Sequence, residues 1–188
     1  KDDGLVILPN FINEANLTKM NQEIKPWLKK ISFNNNFSSS IIGNNQWIAH
    51  LGLCSKSAIN IALDKDLIIF LEKFFNKSIS LAEFTFQKKI ISEKKRINWH
   101  IDKGKGIMIF IFLTHISSKT GATEFIPKTH KIKFNENKNN QKGIAEYLDN
   151  LLIEKKINKS VQVVGGPGTV VIFNPRTWHS LPAFAKAG

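Results

Sequence analysis

The spacing of apolar residues changes near residue 79, and this change divides the chain into two parts. Before it, apolar residues recur every three or four positions, which is typical of amphipathic helices. After it, apolar and polar residues alternate, or apolar residues run together, which is typical of strands. Helices followed by many short strands predict an α+β fold with a mainly β core, in the form of a sandwich or a jelly roll.

The first part of the chain is predicted to contain one strand and three helices. The strand covers 4–9, and Asn13 can cap the helix that follows it. The apolar face of this helix consists of Leu17, Met20, Ile24 and Leu28. Pro26 is expected to kink or interrupt the helix. Two further helices are predicted over 57–63 and 66–75.

The second part is predicted to consist of strands separated by glycine-containing turns, at 79–91, 97–102, 106–116, 122–127, 160–165 and 168–175. Two polar segments interrupt these patterns. One is a loop over 34–40, and the other is an insertion over 131–158 with one predicted helix at 144–153. Both segments are expected to act as lids over a functional site. With no internal repeat and no second domain in the pattern, residues 1–188 are predicted to form a single domain.

The stretch WHIDKG, residues 99–104, carries the first candidate chemistry. A strand sends successive side chains to opposite faces, so His100 and Asp102 share a face while Ile101 points away. Two such side chains on one face can hold a metal ion, and they can equally form an ordinary polar edge. An isolated pair of this kind is common by chance, so a third ligand is needed to decide.

Four other histidines are candidates for that third ligand: His50, His115, His130 and His179. His179 is favoured because it follows the end of a predicted strand, as His100 does. Two histidines and one carboxylate form the facial triad typical of non-haem Fe(II) oxygenases, which leaves three coordination positions open. A structural zinc site would instead use four ligands in a tetrahedron.

The net charge of +12 is the strongest signal in the composition. All but two of the 27 basic residues are lysines, and they are spread along the chain. Proteins that read nucleic acids favour arginine at the bases and commonly cluster their charge on one element. The charge therefore predicts no nucleic-acid partner, and it remains compatible with an anionic small-molecule substrate.

The single cysteine, Cys54, excludes an internal disulfide and a cysteine-based zinc cluster. It fits a reducing compartment. No apolar run approaches the roughly 20 residues of a membrane span. We therefore expect a cytoplasmic protein with no membrane partner.

Four motifs occur in the same order as in the phytanoyl-CoA dioxygenase-like family of Fe(II)/2-oxoglutarate-dependent oxygenases, and the chain resembles that family nearly from end to end. The first motif is DDGLVILPNFINEANLTKM at 2–20, and the second is WHID at 99–102. The third is SKTGATEFIPKTHK at 118–131, similar to the family's Asn-Gly and Ile-Pro-Gly-Ser-His-Lys elements. The fourth is GGPGTVVIFNPRTWHS at 165–180, similar to the family's Pro-Gly-Asp, Phe and His-Gly elements.

The resemblance implies a double-stranded β-helix, a cupin-like jelly roll with N-terminal flanking helices. It also implies that His100, Asp102 and His179 bind Fe(II), with 2-oxoglutarate and O₂ at the open positions. On the predicted strand 79–91 we take Thr85 and Gln87, which share a polar face, as candidates for binding 2-oxoglutarate; the alternative is that this face is a solvent-exposed edge. The family anchors 2-oxoglutarate with an arginine after the distal histidine. We therefore expect the chain to be truncated at its C-terminus, with that arginine and the last strand beyond residue 188.

The function implied is a dioxygenase that hydroxylates a small organic substrate and releases succinate and CO₂. Halogenases that resemble this family have a small residue at the carboxylate position, so the presence of Asp102 favours hydroxylation. The alternative is a catalytically silent, cupin-like metal-binding relative. Neither the prime substrate nor the oligomeric state follows from the sequence.

Overall fold

The structure is a computed structural model that describes residues 2–30, 39–42, 45–48, 50–89, 97–102, 106–132, 150 and 160–181. The chain divides into two compact units. One comprises residues 12–92, and the other comprises residues 1–11 together with 93–188. The predicted lid over 131–158 and its helix at 144–153 lie almost entirely outside the described residues, so they remain predictions.

In the unit of residues 12–92, the first helix, α1 (Glu14–Lys30), begins where the sequence predicts. The Asn13 side chain accepts a hydrogen bond from the Asn16 N–H at 2.9 Å, which caps the helix. The predicted apolar face is buried at three of its four positions, Leu17, Met20 and Ile24. The expected interruption at Pro26 is wrong, because the helix continues to Lys30. Pro26 lies on the exposed side of the helix, where water can solvate the carbonyl that proline leaves without a donor.

The two shorter helices are also confirmed, as α2 (Lys56–Ala62) and α3 (Lys65–Phe75). The Ser55 side chain caps α2 by accepting from the Ala58 N–H at 3.0 Å. The Glu23 carboxylate of α1 accepts hydrogen bonds from the Ser55 hydroxyl at 2.6 Å and from both the N–H and the hydroxyl of Ser57. This carboxylate therefore connects α1 to the start of α2.

A three-stranded antiparallel sheet completes this unit: β2 (Ser39–Ile42), β3 (Asn45–Ile48) and β4 (Phe86–Lys89), with β3 in the centre. The predicted loop over 34–40 is wrong at Ser39 and Ser40, because pairing with β3 overrides the weak strand propensity of serine; positions 34–38 lie outside the described residues. Of the strand predicted over 79–91, the described residues 79–89 form a strand only as β4, and residues 90 and 91 lie outside the described residues. Strand β4 begins at Phe86 because the partner strand ends at Ile48, just before the left-handed backbone of His50.

The other unit contains two antiparallel sheets. In the first, β9 (Val170–Phe173) lies between β1 (Leu5–Leu8) and β6 (Met108–Ile111). All four residues of β9 are buried, as expected for a central strand. The continuous buried strand predicted over 106–116 is wrong in extent, because β6 is only half buried and pairs with β9 over four residues. Gly168, with φ +83, turns the backbone just before β9 and so limits the length of this ladder.

The second sheet has the order β5 (Ile97–His100), β10 (His179–Leu181), β7 (Glu124–Phe125) and β8 (Val161–Gln162). The strand β10 was not predicted, since His179 was expected just past the end of a strand rather than at the start of one. Phe125 packs in one buried cluster with Val163 and with two residues of β9, Val171 and Phe173. The core of this unit therefore lies between its two sheets. Antiparallel sheets with few helices agree with the predicted α+β class and its mainly β core.

None of the helices in the described part of the chain is both long enough and apolar enough to cross a membrane.

Candidate functional site

The site forms where two strands from distant parts of the sequence pair. In the antiparallel ladder of β5 and β10, His179 lies directly opposite His100. Residues opposite each other in a ladder present their side chains on the same face of the sheet. The two imidazole rings accordingly meet, with centroids 4.3 Å apart and planes at 55°.

Asp102 completes the group two residues after His100. Its N–H donates a hydrogen bond to the Pro175 carbonyl at 2.9 Å, which holds this segment against the connection between β9 and β10. One carboxylate oxygen, Oδ2, lies 3.2 Å from Nε2 of His179, and the other, Oδ1, lies 3.9 Å from Nε2 of His100. Among the described residues, these three form the one group of histidine, cysteine and acidic side chains whose donor atoms converge on a point.

The three side chains differ in their exposure. His179 is 7% exposed, whereas His100 and Asp102 are 41% and 37% exposed. The His179 ring stacks on Phe125, its partner on β7, with ring centroids 5.6 Å apart. It also packs against Phe173 in a T-shaped arrangement, with ring centroids 5.5 Å apart. The group therefore has an apolar, buried side behind His179 and a solvent-accessible side at the other two residues.

A backbone hydrogen bond selects the tautomer of the buried histidine. Nδ1 of His179 lies 2.8 Å from the Thr177 carbonyl, which can only accept, so this nitrogen carries a proton. In the neutral ring, Nε2 then presents a lone pair toward the Asp102 carboxylate, which also only accepts. A metal ion bound by both of these atoms, which lie 3.2 Å apart, would accept both lone pairs.

The carboxyl group of Asp102 favours its charged form. Its pKa is lowered below the usual value, first by the hydrogen bond with His179 and then by the attraction of both histidines, while partial burial acts in the opposite direction. An ionised carboxylate is the form that binds metals. Asp102 is therefore already in the ligand state near neutral pH.

The donor atoms fit a metal ion. Donors bound at about 2.1 Å on neighbouring octahedral positions lie about 3 Å apart. The separation of Asp102 Oδ2 from His179 Nε2 is 3.2 Å, which is close to this value. Asp102 Oδ1 lies 3.9 Å from His100 Nε2, and the donor atoms of the three residues all lie within 4.8 Å of one another, so binding one ion would draw His100, the more exposed ring, closer. Two histidines and one carboxylate on one side of an ion leave positions open for other ligands, as in non-haem Fe(II) sites.

The other candidate site residues are not members of this group. Thr85 and Gln87 belong to the unit of residues 12–92, where Gln87 is exposed in β4 opposite Trp47. A role for these two residues in binding 2-oxoglutarate stays a prediction. The alternative ligands His50, His115 and His130 are not part of the converging group, and the assignment of His179 as the third ligand stays a prediction.

The residues around His179 were not predicted from the sequence. Phe125 was predicted only as part of a strand. The hydrogen bonds of the Thr129 hydroxyl with Trp178 and Ile126, and of the Thr177 carbonyl with His179, were not predicted. Thr129 lies between Lys128 and His130, and Thr177 follows Arg176, so no local apolar pattern signals that their hydroxyl groups are buried.

Comparison with known proteins gives a family match and a fold match. Residues 93–181 match the family model described as phytanoyl-CoA dioxygenase (PhyH), a segment that contains all three converging side chains. A search of curated protein sequences found no match.

Several solved structures share the fold at low sequence identity. The epimerase SnoN, in complex with Fe³⁺, α-ketoglutarate and nogalamycin RO, is 15% identical with a TM-score of 0.76, covering 100% of this chain and 75% of SnoN. HygX from Streptomyces hygroscopicus, with nickel, 2-oxoglutarate and hygromycin B bound, is 15% identical with a TM-score of 0.70, covering 100% and 79%. EctD from S. alaskensis with bound Fe is 14% identical with a TM-score of 0.77, covering 97% and 68%. The chain thus has the fold of these enzymes, and its predicted resemblance to the phytanoyl-CoA dioxygenase-like family is confirmed.

Proposed function

We propose that this protein is a non-haem Fe(II)- and 2-oxoglutarate-dependent dioxygenase that hydroxylates a small organic substrate and releases succinate and CO₂. The observation that carries the proposal is the convergence of His100, Asp102 and His179 on one point, with one side buried and the other accessible. The family match over residues 93–181 and the fold shared with metal- and 2-oxoglutarate-bound enzymes support it.

The proposal includes a fold and a set of ligands. The two antiparallel sheets packed around Phe125 and Phe173 would belong to a double-stranded β-helix formed by a single domain. The side chains of His100, Asp102 and His179 would bind the metal, and Thr85 and Gln87 would contact 2-oxoglutarate.

Each residue of the site has a definable task. His179, protonated at Nδ1, presents Nε2 as a donor from the apolar side, and Phe125 and Phe173 keep water away from that side. His100 and Asp102 present their donors from the accessible side, where small ligands can enter. When bound, Fe(II) with 2-oxoglutarate supplies the oxidation of substrate by O₂. The protein's contribution is a fixed donor geometry that leaves coordination positions open.

The alternative is a catalytically silent relative that binds metal without turnover. The two functions differ in one measurable respect, because only the enzyme converts 2-oxoglutarate to succinate. We therefore propose anaerobic Fe(II) titration of the purified protein, followed by a screen for succinate release over acyl-CoA, amino-acid and natural-product substrates. Metal binding without succinate release on any substrate would favour the silent relative.

A pair of histidine variants tests the ligand assignment. We expect His179→Ala to abolish Fe(II) binding or weaken it severely, because the site has no spare donor among the described residues. His115→Ala is the matched control, since His115 is exposed and outside the group. Unchanged Fe(II) affinity in the His179 variant would show that the third ligand is a different histidine.

A further inference from the structure

Two buried threonines hold the backbone on the N-terminal side of His179. We propose that Thr129 and Thr177 are positioning residues for this histidine: through their hydrogen bonds, they set the direction in which Nε2 of His179 points. The inference rests on the proposed function, because the direction of Nε2 matters only if the group binds a metal.

Thr177 acts on His179 directly and is completely buried. Its carbonyl accepts the Nδ1 proton of His179 at 2.8 Å, so the position of this peptide determines the rotation of the ring. Two further hydrogen bonds hold Thr177 itself. The Thr177 N–H donates to the Asn174 carbonyl at 2.8 Å, and the Thr177 hydroxyl donates to the Gly4 carbonyl at 3.1 Å.

Gly4 can approach Thr177 closely only because it has no side chain. Its φ is +80°, in the left-handed region that favours glycine, and a Cβ at this position would overlap His130 and lie 2.6 Å from the Thr177 hydroxyl oxygen. The opening of the chain, just before β1, therefore supplies an acceptor to the segment that carries the distal histidine.

Thr129 is 1% exposed and acts through Trp178, the residue between Thr177 and His179. Its hydroxyl oxygen accepts from the Trp178 N–H at 2.9 Å and donates to the Ile126 carbonyl at 2.6 Å. The Trp178 carbonyl in turn accepts from the Ile126 N–H at 2.9 Å. The turn at residues 126–129 thus holds both backbone groups of Trp178, which directly precedes His179.

These contacts matter because metal affinity is sensitive to donor geometry. Residues that orient a ligating histidine typically contribute about 10- to 100-fold in metal affinity. Thr129→Val keeps the shape of the side chain and removes both hydrogen bonds of the hydroxyl. Thr129→Ser keeps the hydroxyl and removes one methyl group.

The test compares the wild-type protein with its threonine variants in two measurements. Anaerobic calorimetry gives the Fe(II) dissociation constant, and the visible absorption spectrum of bound Co(II) reports the donor geometry directly. We expect Thr129→Val to weaken Fe(II) binding about 10-fold or more and to change the Co(II) spectrum. Thr129→Ser should restore both to near the wild-type values. The matched control is Thr169→Val, because the Thr169 side chain is equally buried and its hydroxyl makes no hydrogen bond among the described residues.

If Thr129→Val does not fold, Thr177→Val carries the same test, because it removes only the hydroxyl bond to Gly4. The inference would be overturned if the folded threonine variant bound Fe(II) with an affinity within twofold of wild type and gave an unchanged Co(II) spectrum. An equal loss in Thr169→Val would also overturn it, since the loss would then follow from a buried Thr→Val change of any kind. Absence of Fe(II) binding by the wild-type protein would reject the proposed function itself, and the positioning role with it.

Discussion

Replacing Lys128 with glycine should stabilise the protein. Lys128 precedes the short 3₁₀ helix Thr129–Lys131 and has φ +70°, in the left-handed region. Its side chain is exposed, and its N–H donates to the Asp3 carbonyl, a bond that glycine also makes. The corresponding motif of the phytanoyl-CoA dioxygenase-like family has glycine here. The substitution therefore removes steric strain and few contacts.

The expected gain follows from two opposing terms. A residue with a Cβ in the left-handed region costs about 1–2 kcal/mol. In the opposite direction, glycine gives the unfolded chain more conformations, which lowers the free energy of unfolding by about 0.4–1 kcal/mol. The pKa of Asp2 is lowered mainly by its hydrogen bond from Lys131 and least by Lys128, so the lost attraction is small. The net gain is about 0.5–1 kcal/mol, or about 1–4 °C in Tm for a chain of this length.

The assay is urea and thermal unfolding of wild type, Lys128→Gly and Lys119→Gly. Lys119 is exposed in the turn before Gly121 and has a negative φ, so glycine there should destabilise by several tenths of a kcal/mol. A Lys128→Gly protein that is no more stable than wild type would refute the reasoning. It would mean that the lysine does not adopt the left-handed conformation or that its side chain contributes more than its exposure suggests.

Three further predictions concern charge and cosubstrate. The pKa of the Glu23 carboxyl group is lowered, first by the hydrogen bond from Ser55. The ionised carboxylate therefore stabilises the fold above its unfolded pKa near 4.5, and this stabilisation is lost as the pH falls through the lower pKa of the folded state. Glu23→Gln should therefore destabilise at pH 7, and the difference from wild type in urea unfolding should shrink in acid. Thr85→Ala and Gln87→Ala should weaken 2-oxoglutarate binding in calorimetry but leave Fe(II) affinity unchanged; unaltered 2-oxoglutarate affinity would support the solvent-edge alternative. Duplex DNA should be retained only weakly at about 150 mM salt, and sub-micromolar binding there would contradict the interpretation of the scattered lysines.

Local patterns were sufficient to predict the helices and the metal-ligand candidates. The helix after Asn13 has a cap, an apolar face and a length that are all encoded within a few turns, so its start could be inferred directly. His100 and Asp102 lie two residues apart, and the alternation of a strand places them on one face without any knowledge of partners. For the third ligand, position at a strand end favoured His179, and the family resemblance supplied the assignment.

Features that depend on distant partners could not be predicted. β10 is three residues long and exists because Ile97–His100 and Glu124–Phe125 pair with it on either side. The serines of β2 have only a weak strand propensity of their own and form a strand by pairing with β3. The hydroxyl of Thr129 accepts from Trp178, 49 residues later, and no local spacing encodes that contact.

The pairing of β1 with β9 has a consequence for biosynthesis. Leu5 pairs with Phe173, so β1 finds this partner only after all the residues between the two strands have been synthesised. At about 5–20 residues per second, this delay is on the order of ten seconds or more. During that time Leu5–Leu8 cannot complete its sheet, and the Gly4 carbonyl has no segment 174–177 to accept from. Both the core sheet and the support of the distal histidine can therefore assemble only after β9 has been made, through contacts of high sequence separation that form slowly.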